Sequence, residues 1–210
     1  MTDPVDVTSG AGAPVAGAVL VGGASRRMGR PKALIGVDGS PMAVRVAGAL
    51  SAAGCAPVRL IGAIPNDTGP SDMVLLPDDI AYPIVEDRWP GEGPLGGVIT
   101  ALIDVGGDVV VAACDLPDLD AATVRAIRDA RGADRADAVV ATTDRLEPAL
   151  ARWNHRALDP LTAIFATGER ALHTALGLLD IVEVAVDPAA MRNVNTPGDL
   201  GDGTPSRSRR

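Results

Sequence analysis

Apolar residues come in short blocks along this chain, and their spacing switches between the strand period and the helix period. Val15, Val19, Leu20 and Val21 make an apolar run that stops at Gly22 and Gly23. That pattern predicts a buried strand ending in a loop whose backbone, lacking Cβ atoms, can approach a ligand closely. Residues 33–37 continue into a short turn or strand. A helix is predicted over 41–53, where Met42, Val46, Ala49, Leu50 and Ala53 recur on one face and Gly54 ends the run. Residues 57–63 and 73–76 read as strands around the turn PNDTGPSD. A helix over 95–105 precedes DVVVAA at 108–113, the most strand-like run in the chain. Residues 120–131 read as a helix capped by Asp120, and 137–141 as another strand. Residues 147–153 alternate loosely and are placed at or near a sheet edge, because Pro148 has no N–H for a central ladder. Two helical stretches, 160–167 and 169–178, break at Gly168. Residues 180–186 give a late strand, and 191–196 a short one that would point Asn193 and Asn195 the same way.

Strands alternating with helices from Val15 onward predict a three-layer α/β fold with a mostly parallel central sheet. One domain over 15–200 lies between two tails, 1–14 and 201–210, whose composition reads as flexible. Hydrophobic residues at 47% argue against disorder, and with one Phe, one Tyr and two Trp the packing falls to Ala, Val, Leu and Ile. A formal charge of −8 argues against nucleic acid as a partner, while leaving room for a local anion site. Cys55 and Cys114 are far apart and belong to no metal or disulfide pattern, which suits a reducing compartment. The acidic, polar start lacks a signal's basic region, and no run approaches 18 uninterrupted apolar residues. The expectation is a soluble cytoplasmic protein with no membrane partner.

The candidate chemistry begins in VAGAVLVGGASRRMGRPK, residues 15–32. It lacks the Gly-Lys-Ser/Thr ending of a Walker A loop, and its glycines do not fit G-x-G-x-x-G. It still offers amides around Gly22 to Ser25 and four cations, Arg26, Arg27, Arg30 and Lys32, for a polyphosphate. Asp115, the first carboxylate past DVVVAA, is placed to bind a magnesium ion bridging phosphates, with a turn-capping role as the competing reading. Cys114 reads as a small buried neighbour. A second constellation, Glu86-Asp87-Arg88-Trp89 followed by GEGPLGG, precedes a helix start whose amides suit an anion. His155 and His173 lack the spacing of a metal pair. The Asn193 and Asn195 amides suit phosphate or hydroxyl groups, or an Asx turn. With no covalent nucleophile in evidence, the combination asks for nucleotidyl transfer: an acceptor phosphate attacks the α-phosphorus in line and expels pyrophosphate.

LVGGASRRMGRPK resembles the opening signature of the molybdenum cofactor guanylyltransferase family of nucleoside triphosphate transferases. EDRWPGEGPLGG resembles its glutamate-aspartate loop with G-P-L-x-G, ACDLP its metal segment, TGERAL a G-E-R stretch, and RNVNTPGDL its N-V-N-T-P ending. The resemblance implies a Rossmann-like nucleotidyltransferase fold that moves GMP from GTP to molybdenum-molybdopterin with Mg2+, giving the guanine dinucleotide cofactor and pyrophosphate. By matching position it implies that Leu20, Val21 and Gly22, with Gly23 beside them, contact guanine, and that Arg27 and Lys32 serve the triphosphate. Asp87 would lie near the nucleotide, Asp115 would meet nucleotide and magnesium, and Asn193 and Asn195 would lie near the pterin or hold its loop. Catalysis would fall to Arg27, Lys32 and Asp115. Molybdoenzymes or cofactor-assembly proteins are the further partners implied. Three positions depart from the pattern: Val21 for alanine, Pro31 for aspartate, and Gly62 where a nucleotide-contacting asparagine is expected. They leave open CTP or another nucleotide, another phosphorylated acceptor, and a noncatalytic nucleotide-binding adaptor.

Overall fold

The computed structural model describes residues 14–22, 32–62, 73–74, 82–195 and 199. The opening run becomes strand β1 (Ala16–Leu20), and Lys32–Leu34 makes a short 3-10 turn leading into a two-residue ribbon, β2 (Gly36–Val37) and β3 (Ser40–Pro41). Helix α1 (Met42–Ala52) follows, burying Met42, Val46 and Leu50 as its spacing predicts, and returns the chain to β4 (Val58–Ile61). Then come β5 (Met73–Val74), β6 (Tyr82–Val85), α2 (Pro94–Val105) and β7 (Val109–Ala113). The second half holds α3 (Ala121–Arg128), β8 (Ala138–Thr142), β9 (Leu146–Trp153), α4 (Leu158–Ala166), α5 (Leu172–Leu176) and β10 (Ile181–Ala185). Asp120 caps α3 as expected, its carboxylate accepting from the Thr123 N–H at 2.7 Å.

Among the described residues, eight strands form one sheet in the order β10-β8-β9-β7-β1-β4-β6-β5. All but β9 and β5 run in one direction, so the sheet is mostly parallel, as expected for a Rossmann-like nucleotidyltransferase fold. Successive residues of β1 face opposite layers. Val19 packs with Val46, Leu50 and Val124 under α1 and α3, whereas Ala16 and Ala18 pack with Val98, Leu102 and Leu161 under α2 and α4. Small residues bring the layers close: a Cβ on Gly17 would stand 3.2 Å from Leu50, Cys55 and Val58 side chains.

The sheet corrects one expectation outright. β9 is internal, antiparallel to both β7 and β8, and its Trp153 is fully buried. Pro148 is accommodated because the ladder to β8 shifts register between Val140, opposite Ala151, and Ala141, opposite Glu147, while pairing with β7 stops at Leu150. Pro148 and Ala149 thus occupy a bulge where no N–H is required. Two other differences are local. Residues 192–195 form no strand, and β6 was not anticipated because Pro83 interrupts its apolar alternation. The helices expected over 160–167 and 169–178 are shorter or shifted, and part at Gly168 as expected. The tails fall outside the described residues, apart from Pro14.

The chain steps from β1 to β4 on one side, and later from β6 through α2 to β7 on the other. That reversal leaves a crevice at the carboxyl end of β1, where open α/β sheets bind their ligands.

Candidate active site

At this crevice the β1–β7 pairing runs to the end of both strands, with the Cys114 N–H donating to the Leu20 carbonyl at 3.2 Å. The next residue, Asp115, turns its carboxylate out of the sheet. Its Oδ2 lies 2.7 Å from the Lys32 Nζ, and both side chains are mostly shielded, at 16% and 18% exposure. Its Oδ1 is buried without a hydrogen-bond partner among the described residues. Leaving a carboxylate oxygen unsatisfied costs on the order of 1–3 kcal/mol, and such costs concentrate where a ligand completes the site. Lys32 opens the 3-10 turn, whose neighbours Ala33 and Ile35 are buried and fix the base of its stem. Its ammonium also donates to Asn195 Oδ1 at 2.6 Å. Lys32, Asp115 and Asn195, far apart in sequence, therefore meet in one charge-assisted cluster.

Asn193 and Asn195 are exposed on either side of Val194, which is fully buried and donates its N–H to the Asp115 carbonyl at 3.0 Å. The alternation expected of a strand is thus made by an irregular segment pinned to the Asp115 loop. Beside Asp115 opens a cavity of about 410 Å³. Leu20, Val111 and Ala113 give its floor, Pro148 and Ala149 of the bulge one wall, and Ala171 to His173 with Pro94 another; Asn193 completes the rim. A mostly apolar recess with a few polar groups at its edge is the usual form of a small-molecule site.

The backbone beyond β1 and β4 is equally constrained. Val21 N–H donates to the Ile61 carbonyl and Gly62 N–H to the Val85 carbonyl, each at 2.9 Å. Gly62 has φ +122°, and a Cβ there would stand 2.6 Å from the Gly22 nitrogen. No asparagine side chain fits this backbone without displacing Gly22. Gly23 and Arg27 lie outside the described residues, as do Arg26, Arg30 and Pro31.

Asp87 spends its carboxylate on its own loop and on α2. Its Oδ1 accepts from the Trp89 N–H at 3.1 Å and the Thr100 hydroxyl at 3.0 Å, and Thr100 accepts from the Arg88 N–H at 3.2 Å. The start of α2 is also partly engaged, since Leu95 N–H points to the Arg170 carbonyl at 3.4 Å. Sequence reasoning missed Thr100, although a lone hydroxyl on the buried face of an apolar helix is the signal that marks it. It marked the G-E-R stretch but gave no role to its Arg170, which lies over Phe165 at 3.9 Å from the ring centroid and reaches Glu92 at 2.6 Å, staking the GEGP loop to the end of α4. Glu169 accepts from the Arg170 and Ala171 N–H groups at 2.7 Å, so the G-E-R stretch shapes the cavity wall. His173, set aside as a metal ligand, lines that wall.

Cys114 is a free, buried thiol. Burial chiefly, and the neighbouring Asp115 carboxylate next, push its pKa up to about 12, with Lys32 opposing, so it is no nucleophile at neutral pH. Among the described residues no group of three or more His, Cys, Asp or Glu side chains converges as a protein-only metal cage. No helix among them is long and apolar enough to cross a membrane.

Residues 17–181 match the family described as the MobA-like NTP transferase domain. A protein of Chloroflexus aggregans described as a probable molybdenum cofactor guanylyltransferase is 32% identical over 206 residues, spanning 89% of this chain and 91% of its own. The molybdenum cofactor guanylyltransferase of Rhodobacter capsulatus is 32% identical over 193 residues, spanning 89% and 93%. Among solved structures, molybdopterin-guanine dinucleotide biosynthesis protein A from Archaeoglobus fulgidus superposes with a TM-score of 0.70 at 24% identity, over 89% of this chain and 95% of that one. The 2-C-methyl-D-erythritol 4-phosphate cytidylyltransferase of Thermus thermophilus gives 0.63 at 18% identity, over 89% and 95%. These two structural likenesses speak for the fold.

Proposed function

We propose that this chain, which belongs to the MobA-like NTP transferase family, transfers GMP from GTP to the terminal phosphate of molybdenum-molybdopterin, forming the guanine dinucleotide cofactor and pyrophosphate. Nucleotidyl transfer is the chemistry that family and fold share; the nucleotide and the acceptor are our reading. The observation that carries it is the Lys32–Asp115–Asn195 cluster beside an apolar cavity at the end of β1.

In this reading the α-phosphate sits over the Asp115 loop and the acceptor's ring fills the cavity. The acceptor phosphate is already anionic at neutral pH and needs no general base. Its oxygen forms the new bond to the α-phosphorus as the bond to the β-phosphate oxygen breaks, and pyrophosphate leaves with that electron pair. Lys32 turns its ammonium to the phosphate oxygens and holds their growing charge. Arg27 adds a second cation. Backbone groups of Leu20, Val21, Gly22, Gly23 and Gly62 border the base, and Asp87 orders the loop opposite. Mg2+ fits the buried Asp115 Oδ1, which has no hydrogen-bond partner among the described residues, since that ion takes one or two carboxylates and completes its shell with phosphates and water. When bound it would neutralise phosphate charge beside the reacting phosphorus. Asn193, on the cavity rim, is suited to a polar edge of the acceptor. Molybdoenzymes or other cofactor-assembly proteins would receive the product.

A second reading, cytidylyl transfer, is favoured by Gly62, which offers the base no side chain. Pyrophosphate release and dinucleotide formation with GTP and CTP in parallel, each with and without molybdenum-loaded molybdopterin, separate the two. GTP-dependent product that requires the acceptor is expected. Product with CTP alone would move the protein to the second reading, and no product with either would refute both. Lys32→Ala and Asp115→Ala are each expected to cost roughly 100- to 1,000-fold in kcat with the fold retained, and unchanged rates in both would sink these assignments.

A further inference from the structure

Lys32 is the only lysine in the sequence; every other Lys or Arg position is arginine. A lysine ammonium is a compact charge on a flexible four-carbon stem, so its usefulness depends on what holds it. Here Asn195 Oδ1 and Asp115 Oδ2 hold it. Asn195 is itself held, its N–H donating to Asp199 Oδ2 at 2.8 Å, while the preceding Val194 packs with Ile35, Val37 and Met42. Arg192 completes the arrangement. Its Nη1 donates to the Asp199 carbonyl at 2.8 Å and its Nε donates to Asp118 Oδ2. Asp118 lies three residues beyond Asp115 on the loop after β7. The contacts therefore form a ring: out from that loop at Asp118, through Arg192, Asp199, Asn195 and Lys32, and back into it at Asp115.

We propose that Arg192 and Asp118 are positioning residues for the transfer reaction, acting through Asn195 to keep the Lys32 ammonium beside Asp115. This rests on the reading of Lys32 as a phosphate-binding cation. The Arg192–Asp118 pair is substantially open to solvent, with side chains 44% and 35% accessible. Such a pair contributes little to stability by itself. Its removal therefore shows in where Lys32 stands more than in whether the chain folds, and supports of this kind typically matter by roughly 10- to 100-fold in activity.

The test takes Arg192→Gln and the near-isosteric Asp118→Asn, each alone and combined with Lys32→Ala, in the full-length protein. Two quantities are read: kcat and KM for pyrophosphate release, and the rate at which Lys32 is acylated by an N-hydroxysuccinimide acetate, followed by mass spectrometry of its peptide. The single lysine makes that second signal unambiguous. Arg192→Gln is expected to lower kcat/KM roughly 10- to 100-fold, with Asp118→Asn in the same direction, a little-changed thermal midpoint, and a several-fold faster acylation. Neither change should cost anything further once Lys32 is alanine. An equal loss in the Lys32→Ala background, or an unaltered acylation rate, would overturn the proposal. Were the unaltered protein to release no pyrophosphate with any nucleotide, the functional reading would fall, and the acylation rates alone would still decide whether the ring holds Lys32.

Discussion

Replacing Gly62 by alanine probes how closely the ends of β1 and β4 approach beside the crevice. The perturbation adds one methyl group at φ +122°, where an L side chain costs about 1–3 kcal/mol. That methyl would stand 2.6 Å from the Gly22 nitrogen and 2.9 Å from its Cα, backbone atoms with no rotamer by which to move aside. Overpacking of this kind costs about a further 1–3 kcal/mol. The expected loss is a large part of a typical stability of about 5–15 kcal/mol, and lowers the thermal midpoint by roughly 5–20 °C. Gly22→Ala is the control, because among the described residues its methyl would meet only the Gly62 Cα, at 3.7 Å, an ordinary contact. It should cost under about 1 kcal/mol. Urea and thermal unfolding followed by circular dichroism measure both. A Gly62→Ala protein within about 0.5 kcal/mol of the parent, or a Gly22→Ala protein equally weakened, would refute the close approach.

Asp120→Ala should cost about 1 kcal/mol by removing the α3 cap, measured by urea unfolding. The backbone N–H of Thr123, chiefly, holds the Asp120 pKa below its usual value; the cap's contribution is therefore complete above the unfolded value of about 3.9 and is lost as pH falls through the lower folded value, so wild type and variant converge in acid. Burial chiefly raises Cys55 to about 11 and Cys114 to about 12, so native protein should react with a disulfide reagent far more slowly than unfolded protein at pH 8. Equal rates in the two states would refute that burial.

The alternation of strand and helix periods was enough to read the layered sheet, because α1 and β7 each carry their burial pattern within a dozen residues. What lay outside that range was less legible. Pro148 correctly signalled that a regular ladder cannot run through it, yet the bulge that resolves the conflict depends on Val140 and Ala141, strand neighbours from another part of the chain. Lys32 and Asp115 were marked individually by residue type after strand ends. Their meeting with Asn195 is a matter of tertiary placement across 163 positions. The pairing of Asp87 with Thr100 and of Arg170 with Phe165 was hidden for the same reason. The roles of Arg27 and Gly23, outside the described residues, rest on the loop's residue types and its family resemblance.

The bulge in β9 has a thermodynamic consequence. Five of the eleven described residues bordering the cavity are proline or alanine, Pro94, Ala113, Pro148, Ala149 and Ala171. Such side chains have almost no rotamer freedom to surrender. Much of the recess is consequently shaped by main chain, at the point where the sheet departs from regularity. A guest entering it would find walls whose ordering cost was met when the chain folded, so more of its contact energy would survive as affinity.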